Sequence, residues 1–162
     1  MLLIKNVSMI EFLPIKYGGL LIETNDSGVL QKICWAKRKV WQKPDKPSGV
    51  YSQLVEYLLG RRKEFEVTLS EDVGTEFQRR VWNEIGRICY GQTRSYQEVA
   101  ISLGNKKWTR AVGMACSRNP FLIVVPCHRV VAASGKMGGY IGGGDRVKKW
   151  LLNLEGIPKS PE

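Results

Sequence analysis

Ser95-Tyr-Gln-Glu-Val-Ala-Ile-Ser-Leu-Gly104, then Asn105-Lys-Lys, then Trp108-Thr-Arg-Ala-Val-Gly-Met-Ala-Cys-Ser-Arg-Asn119, reads as two short helices around a glycine turn. Ser95 and Glu98 have the spacing of a capping box, which satisfies free amides at a helix start. Tyr96, Val99 and Leu103 then share a face, and Gly104 ends the helix. The second helix, from about Trp108 to Asn119, turns Val112, Ala115 and Cys116 toward a core. Its other face carries Arg110, Gly113, Met114 and Ser117 at i, i+3, i+4 and i+7. This is a helix-turn-helix pattern, weak by itself as a sign of DNA reading. Gly113 inside a helix costs about 1 kcal/mol relative to alanine. Either another backbone, protein or nucleic acid, approaches closely there, or internal packing excludes a side chain.

Downstream, Val124-Val-Pro-Cys-His-Arg-Val130 sets the chain's only histidine beside Cys127, one of four cysteines. A thiol becomes a strong nucleophile when a neighbour favours the thiolate. The bland alternative is an inert buried cysteine. On a regular strand, successive side chains point to opposite faces, so Cys127 and His128 could not touch directly. Either the chain turns after Pro126 or a water carries the proton between them.

Further outward, Thr75-x-x-Gln78 is a second capping box, with Phe77, Val81 and Ile85 on one face. A final helix starts near Asp145, carries Val147, Trp150, Leu151 and Leu154 at core spacing, and is capped by Gly156. Glu155 then sits at the helix C-terminus, where the macrodipole disfavours a carboxylate. A cationic or hydrogen-bonding partner would explain it; simple exposure is the other reading. Glycines crowd Gly138-Gly-Tyr-Ile-Gly-Gly-Gly144 without a phosphate-binding spacing, which suggests a tightly bent or flexible loop beside Cys127.

The first forty residues read as strands. Gly19–Thr24 and Val29–Trp35 flank the turn Asn25-Asp-Ser-Gly28. A Lys/Pro-rich loop at 43–49 leads to a helix with Val50, Leu54, Val55, Leu58 and Leu59 at helical spacing, stopping at Gly60. Charged residues 61–73 suit a boundary, dividing the chain into an N-terminal domain, 1–72, and a C-terminal domain, 73–162. The 162 residues carry a formal charge of +10. Residues 1–72 hold 11 basic and 9 acidic side chains, whereas 73–162 hold 14 and 6. A polyanionic partner would therefore meet mostly the second half.

Cys34, Cys89, Cys116 and Cys127 form no CxxC pair, and one histidine makes a protein-only zinc site unexpected. No metal and no cofactor is expected. No apolar run approaches the ~18 residues of a membrane span, and no secretory segment opens the chain. A cytoplasmic, reducing setting and no membrane partner are the expectation.

Pro126-Cys-His-Arg-Val130, Arg110-Ala-Val-Gly113, Arg118-Asn-Pro120, Ser95-Tyr96 and Trp150-Leu-Leu-x-x-Glu155-Gly156 together resemble the O6-alkylguanine-DNA alkyltransferase family. The resemblance covers 74–157 in order and spacing; residues 1–73 resemble the family's N-terminal domain only generically. It implies an α+β fold. A small N-terminal sheet domain of ribonuclease H-like topology would precede a mainly helical domain with a winged helix-turn-helix-like motif. It implies single-turnover transfer of the alkyl group of O6-alkylguanine, and of O4-alkylthymine, in double-stranded DNA to Cys127, acting as a monomer.

His128 would be general base through a water, oriented by Glu155; Tyr96 would donate a proton to the leaving guanine; Asn119 would brace the turn carrying the cysteine. Arg110, Ala111, Gly113, Met114, Ser117, Tyr96 and Arg129 would face DNA, with Arg110 filling the gap left by a flipped base. Minor-groove binding would suit the small outer face at Gly113. Tyr140, Ile141, Gly142, Val130 and Met114 would line the guanine pocket. Ile141 departs from the pattern, in which serine often follows the tyrosine, and the glycine loop is one residue longer.

Three rivals leave something over. An alkyltransferase-like binder lacks the acceptor cysteine that stands here, and a helix-turn-helix regulator gives Cys127, His128 and Glu155 no role. A cysteine hydrolase needs an oxyanion hole and does not account for the basic half.

Overall fold

The turn Asn25–Gly28 forms as its residue types require. Asn25 Oδ1 accepts from Ser27 N at 3.0 Å and Val29 N at 2.9 Å, and Gly28 takes φ 76°. Around it lies a three-stranded antiparallel sheet in the order β1 (Met9–Ile15), β2 (Gly18–Thr24), β3 (Leu30–Ala36). The computed structural model describes residues 9–37 and 43–157. Part of the predicted 43–49 loop precedes helix α1 (Gly49–Leu58), whose N-cap Ser48 accepts from Tyr51 N.

Helix α1 buries Val50, Tyr51, Leu54 and Tyr57, while Leu59 is 58% exposed. The inner stripe is therefore rotated from the predicted one: two tyrosines turn inward, and the leucine beyond the last turn faces out.

Both predicted capping boxes are present. Thr75 and Gln78 start α2 (Glu76–Ile85), and Ser95 and Glu98 start α3 (Tyr96–Ser102). A 3₁₀ turn at Lys106–Trp108 leads into α4 (Thr109–Ser117), which ends two residues before the predicted Asn119. Strands β4 (Arg94–Ser95) and β5 (Val130–Val131) form a short parallel pair, and α5 (Asp145–Leu154) closes the described chain.

The second half docks on the sheet edge. Ile33 N donates to Pro120 O at 2.8 Å, and Ile33 bridges Phe121 in parallel. Buried side chains run without a break from Leu20 and Ile22 through Leu54 and Ile85 to Val112, Val130 and Leu151. The segment leading to Cys127 is thereby anchored at its start by a strand of the first half. Among the described residues, no helix is long and apolar enough to cross a membrane.

Candidate active site

The apolar run 121–125 is not a strand. Leu122 bridges Val125, and Ile123 takes φ 72°, a conformation that β-branched residues rarely adopt. Asn119, 3% exposed, holds this bend from within. Its Oδ1 accepts from Phe121 N at 2.9 Å, and its Nδ2 donates to Val125 O at 2.8 Å and to Cys127 Sγ at 3.2 Å. Cys127–Arg129 then form a 3₁₀ turn. The chain turns here, yet no hydrogen bond joins Cys127 Sγ to the His128 ring, so the turn does not remove the need for a bridging water. Burial pushes the Cys127 thiol up; the Asn119 donor and the Lys148 charge oppose it.

His128 is fully buried, with Nε2 2.7 Å from Glu155 Oε1. Glu155 caps the C-terminal end of α5, and donors from three other places converge on it. Tyr57 OH donates to Oε1 at 2.6 Å, Arg129 to both oxygens at 2.9 and 3.0 Å, and Gly91 N to Oε2 at 3.2 Å. Burial pushes this carboxyl up, yet the His128 and Arg129 hydrogen bonds outweigh it and bring it down to about 2. Its unfavourable place on the helix dipole is thus more than offset by local donors.

An ionised acceptor at Nε2 requires the proton to sit there, which makes Nδ1 the bare lone pair of the ring. Nδ1 is buried and has no protein partner. Burial also holds the His128 pKa below its ordinary value, against the pull of Glu155, so the ring is neutral and able to accept a proton.

The family model for the 6-O-methylguanine DNA methyltransferase DNA-binding domain matches residues 76–157, half of the chain, and contains this whole arrangement except Tyr57. The chain belongs to the 6-O-methylguanine DNA methyltransferase family. A methylated-DNA–protein-cysteine methyltransferase of Methanosarcina acetivorans is 53% identical over 104 residues, 64% of this chain. The match spans 65% of that relative, just under two thirds of its length. Mycobacterium tuberculosis OGT, solved in complex with DNA, has a TM-score of 0.79 at 40% identity, covering 91% of this chain and 92% of that one. The O6-methylguanine-DNA methyltransferase of Pyrococcus kodakaraensis has a TM-score of 0.70 at 29% identity, covering 91% and 98%. The mixed architecture of a small antiparallel sheet with helices is thus shared with these structures.

The outer face of α4 lies as its spacing predicts within this methyltransferase family member. Arg110 and Ser117 are exposed, Met114 is 51% exposed, and Ala111 and Gly113 are half-buried. Tyr96 opens α3 half-buried; burial, then Cys116, Cys127 and Asp145, push its hydroxyl up to about 12, so it remains a neutral donor. Arg129 needs correction. It is 6% exposed, paired with Glu155 and donating to Ile88 O at 2.6 Å, so its guanidinium is spent inside and does not face DNA.

The glycine loop folds over His128, whose ring meets that of Tyr140 edge-on at 6.5 Å. A side chain at Gly142 would run into the Tyr140 ring, its Cβ falling 2.4 Å from Cε1. Ile141, 49% exposed, points away from the core. Val130 is fully buried, and its carbonyl accepts from Lys148 Nζ at 2.7 Å.

Two residues of this candidate site escaped the sequence reading. Lys148 is fully buried on α5, donates also to Met137 O, and is held below its ordinary pKa by burial. Its signal was a lysine at i−3 and i−4 from Leu151 and Leu152, on an inward face. Tyr57 gave no signal beyond an aromatic residue in an apolar helix.

Proposed function

We propose that this protein repairs alkylated double-stranded DNA by taking the alkyl group of O6-alkylguanine, and of O4-alkylthymine, onto Cys127, once per molecule. The observation that carries the reading is the locked imidazole: Nε2 tied to Glu155, and Nδ1 left as a buried acceptor one residue from a braced cysteine.

The thiol proton passes through a water to His128 Nδ1. Sulfur attacks the alkyl carbon, the carbon–O6 bond breaks, and its electron pair stays on the guanine. Tyr96 supplies the proton that neutralises the departing base. A thioether remains on Cys127, and among the described residues no group in the site is placed to cleave it, so the molecule is consumed.

Attack in line with the carbon–O6 bond needs the nucleotide outside the stack, at a cost of a few kcal/mol. Arg110 fills the gap while Ala111, Gly113, Met114 and Ser117 meet the minor groove, and α3 and α4 serve as the winged helix-turn-helix-like element. Tyr140, Ile141, Gly142, the Val130 backbone and Met114 border the guanine. The sheet meander followed by α1 supports a ribonuclease H-like domain over 1–72, with 73–162 as the DNA-binding, alkyl-accepting domain. The protein acts as a monomer in a reducing cytoplasm, which keeps Cys127 a thiol.

Intact-mass analysis after incubation with an O6-methylguanine duplex tests this. One methylene should appear on the Cys127 peptide for each lesion removed, and none in Cys127→Ala. A Cys127→Ala protein that still clears the lesion at the wild-type rate would end the proposal.

A further inference from the structure

We propose that Tyr57, supplied by helix α1 of the N-terminal half, is a positioning residue of the alkyl-transfer site. Its hydroxyl fixes the Glu155 oxygen on which the His128 ring is held and so sets how readily that ring takes a proton. The inference rests on the proposed role of His128 as proton acceptor.

A tyrosine shut away from solvent needs a partner for its hydroxyl. Tyr57 is fully buried, and its ring is wedged against Phe65, centroids 5.4 Å apart, and Tyr90, at 6.1 Å. The hydroxyl is therefore held in one place, 2.6 Å from Glu155 Oε1 and 3.4 Å from His128 Nε2. The carboxylate is nearer and the stronger acceptor, so the phenol donates there. Oε1 thus receives Tyr57, His128 Nε2 and an Arg129 nitrogen together.

This convergence has a chemical consequence. Each donor withdraws charge from Oε1 and weakens its hold on a proton shared with the imidazole. A less basic carboxylate stabilises the imidazolium less, which leaves His128 neutral and its Nδ1 free. The phenol itself stays protonated, because burial and then the neighbouring Glu155 raise its pKa well above the ordinary value. The other charged or titratable groups around the ring are Arg129 on its own turn, Lys148 on α5, Cys127, and Tyr140 on the glycine loop. None of these donates to Oε1 from the first half of the chain. Tyr57 does, and it makes the N-terminal half part of the reaction machinery.

The chain has one histidine, so ¹⁵N-histidine labelling of untagged protein isolates the His128 ring. Wild type should show the Nε2–H tautomer. In Tyr57→Phe the ring should titrate at higher pH, and the acid limb of the alkyl-transfer rate should move up with it. Transfer should be slower by about tenfold near pH ~6 and close to wild type near pH ~8, the lower end for losing an outer partner of a working histidine. A uniform loss at every pH, or an unchanged titration, would overturn the inference.

Should Tyr57→Phe fail to fold, 3-fluorotyrosine placed at position 57 decides. It keeps the shape and strengthens the donor, so the titration should move down; no movement sinks the idea. The ring titration does not depend on transfer, so a wild-type protein that gains no methylene would count against the proposed function alone.

Discussion

Gly113 is where a single atom separates the two readings of α4. A Cβ there would lie 3.9 Å from the Tyr96 ring carbons Cδ1 and Cε1, an ordinary contact, so the interior does not demand glycine. On the proposed function, close approach of the DNA backbone would supply the reason. Gly113→Ala should therefore stabilise the fold by about 0.5–1 kcal/mol, through helix propensity, while weakening binding to duplex DNA. Thermal melts and a DNA titration of the same variant check both signs; unchanged affinity would return Gly113 to internal packing. At this scale, legibility followed chemistry. Cys127, His128 and Glu155 were readable because a cysteine beside a lone histidine and a misplaced helix-end carboxylate each need a reason. Tyr57 and Lys148 were not, since a tyrosine in an apolar stripe and a lysine in a basic chain are both unremarkable until their partners are known.

Among the elements, those specified by neighbours in sequence were the ones read correctly. Thr75 with Gln78 and Ser95 with Glu98 are local devices, and each starts a helix where the spacing says. The bend at 121–125 is different, because its apolar residues carry no turn chemistry and its brace, Asn119, belongs to the preceding segment. Asn119→Ala removes three hydrogen bonds and leaves Phe121 N without its partner inside the core, while Val125 O keeps the backbone donor Cys127 N. A loss of about 2–4 kcal/mol is expected from urea denaturation. Alkyl transfer should slow as well, because Sγ loses a donor that favours the thiolate. Lys148→Met makes a contrasting case: the stem still packs, but Val130 and Met137 lose the ammonium that ties them together. Amide exchange across 131–144 should then accelerate, with α5 itself little changed.

For the whole molecule, charge asymmetry was legible and the join between halves was not. That join rests on Ile33 meeting Pro120 and on Tyr57 meeting Glu155, pairs about 90 to 100 residues apart that no local pattern announces. It also makes stability depend on pH in a definite direction. Glu155 titrates at about 2 in the fold against an ordinary 4.5, so the unfolded chain binds its proton first. Its contribution is complete above pH 4.5 and drains away as pH falls from 4.5 toward 2. His128 is held below its ordinary 6.5, mainly by burial, so the unfolded state again gains the proton first and stability starts to fall below 6.5. Both slopes have the same sign. Denaturant midpoints should drop continuously from neutral pH into acid, steepening once Glu155 begins to be protonated in the unfolded chain. Glu155→Gln should be less stable at neutral pH by about 3–5 kcal/mol, because Arg129 keeps a buried charge without its counterion. The same variant should lose the steep part of the acid slope. An acid profile of Glu155→Gln as steep as that of the wild type below pH 4.5 would show that the cluster joining α1 to α5 does not govern acid unfolding.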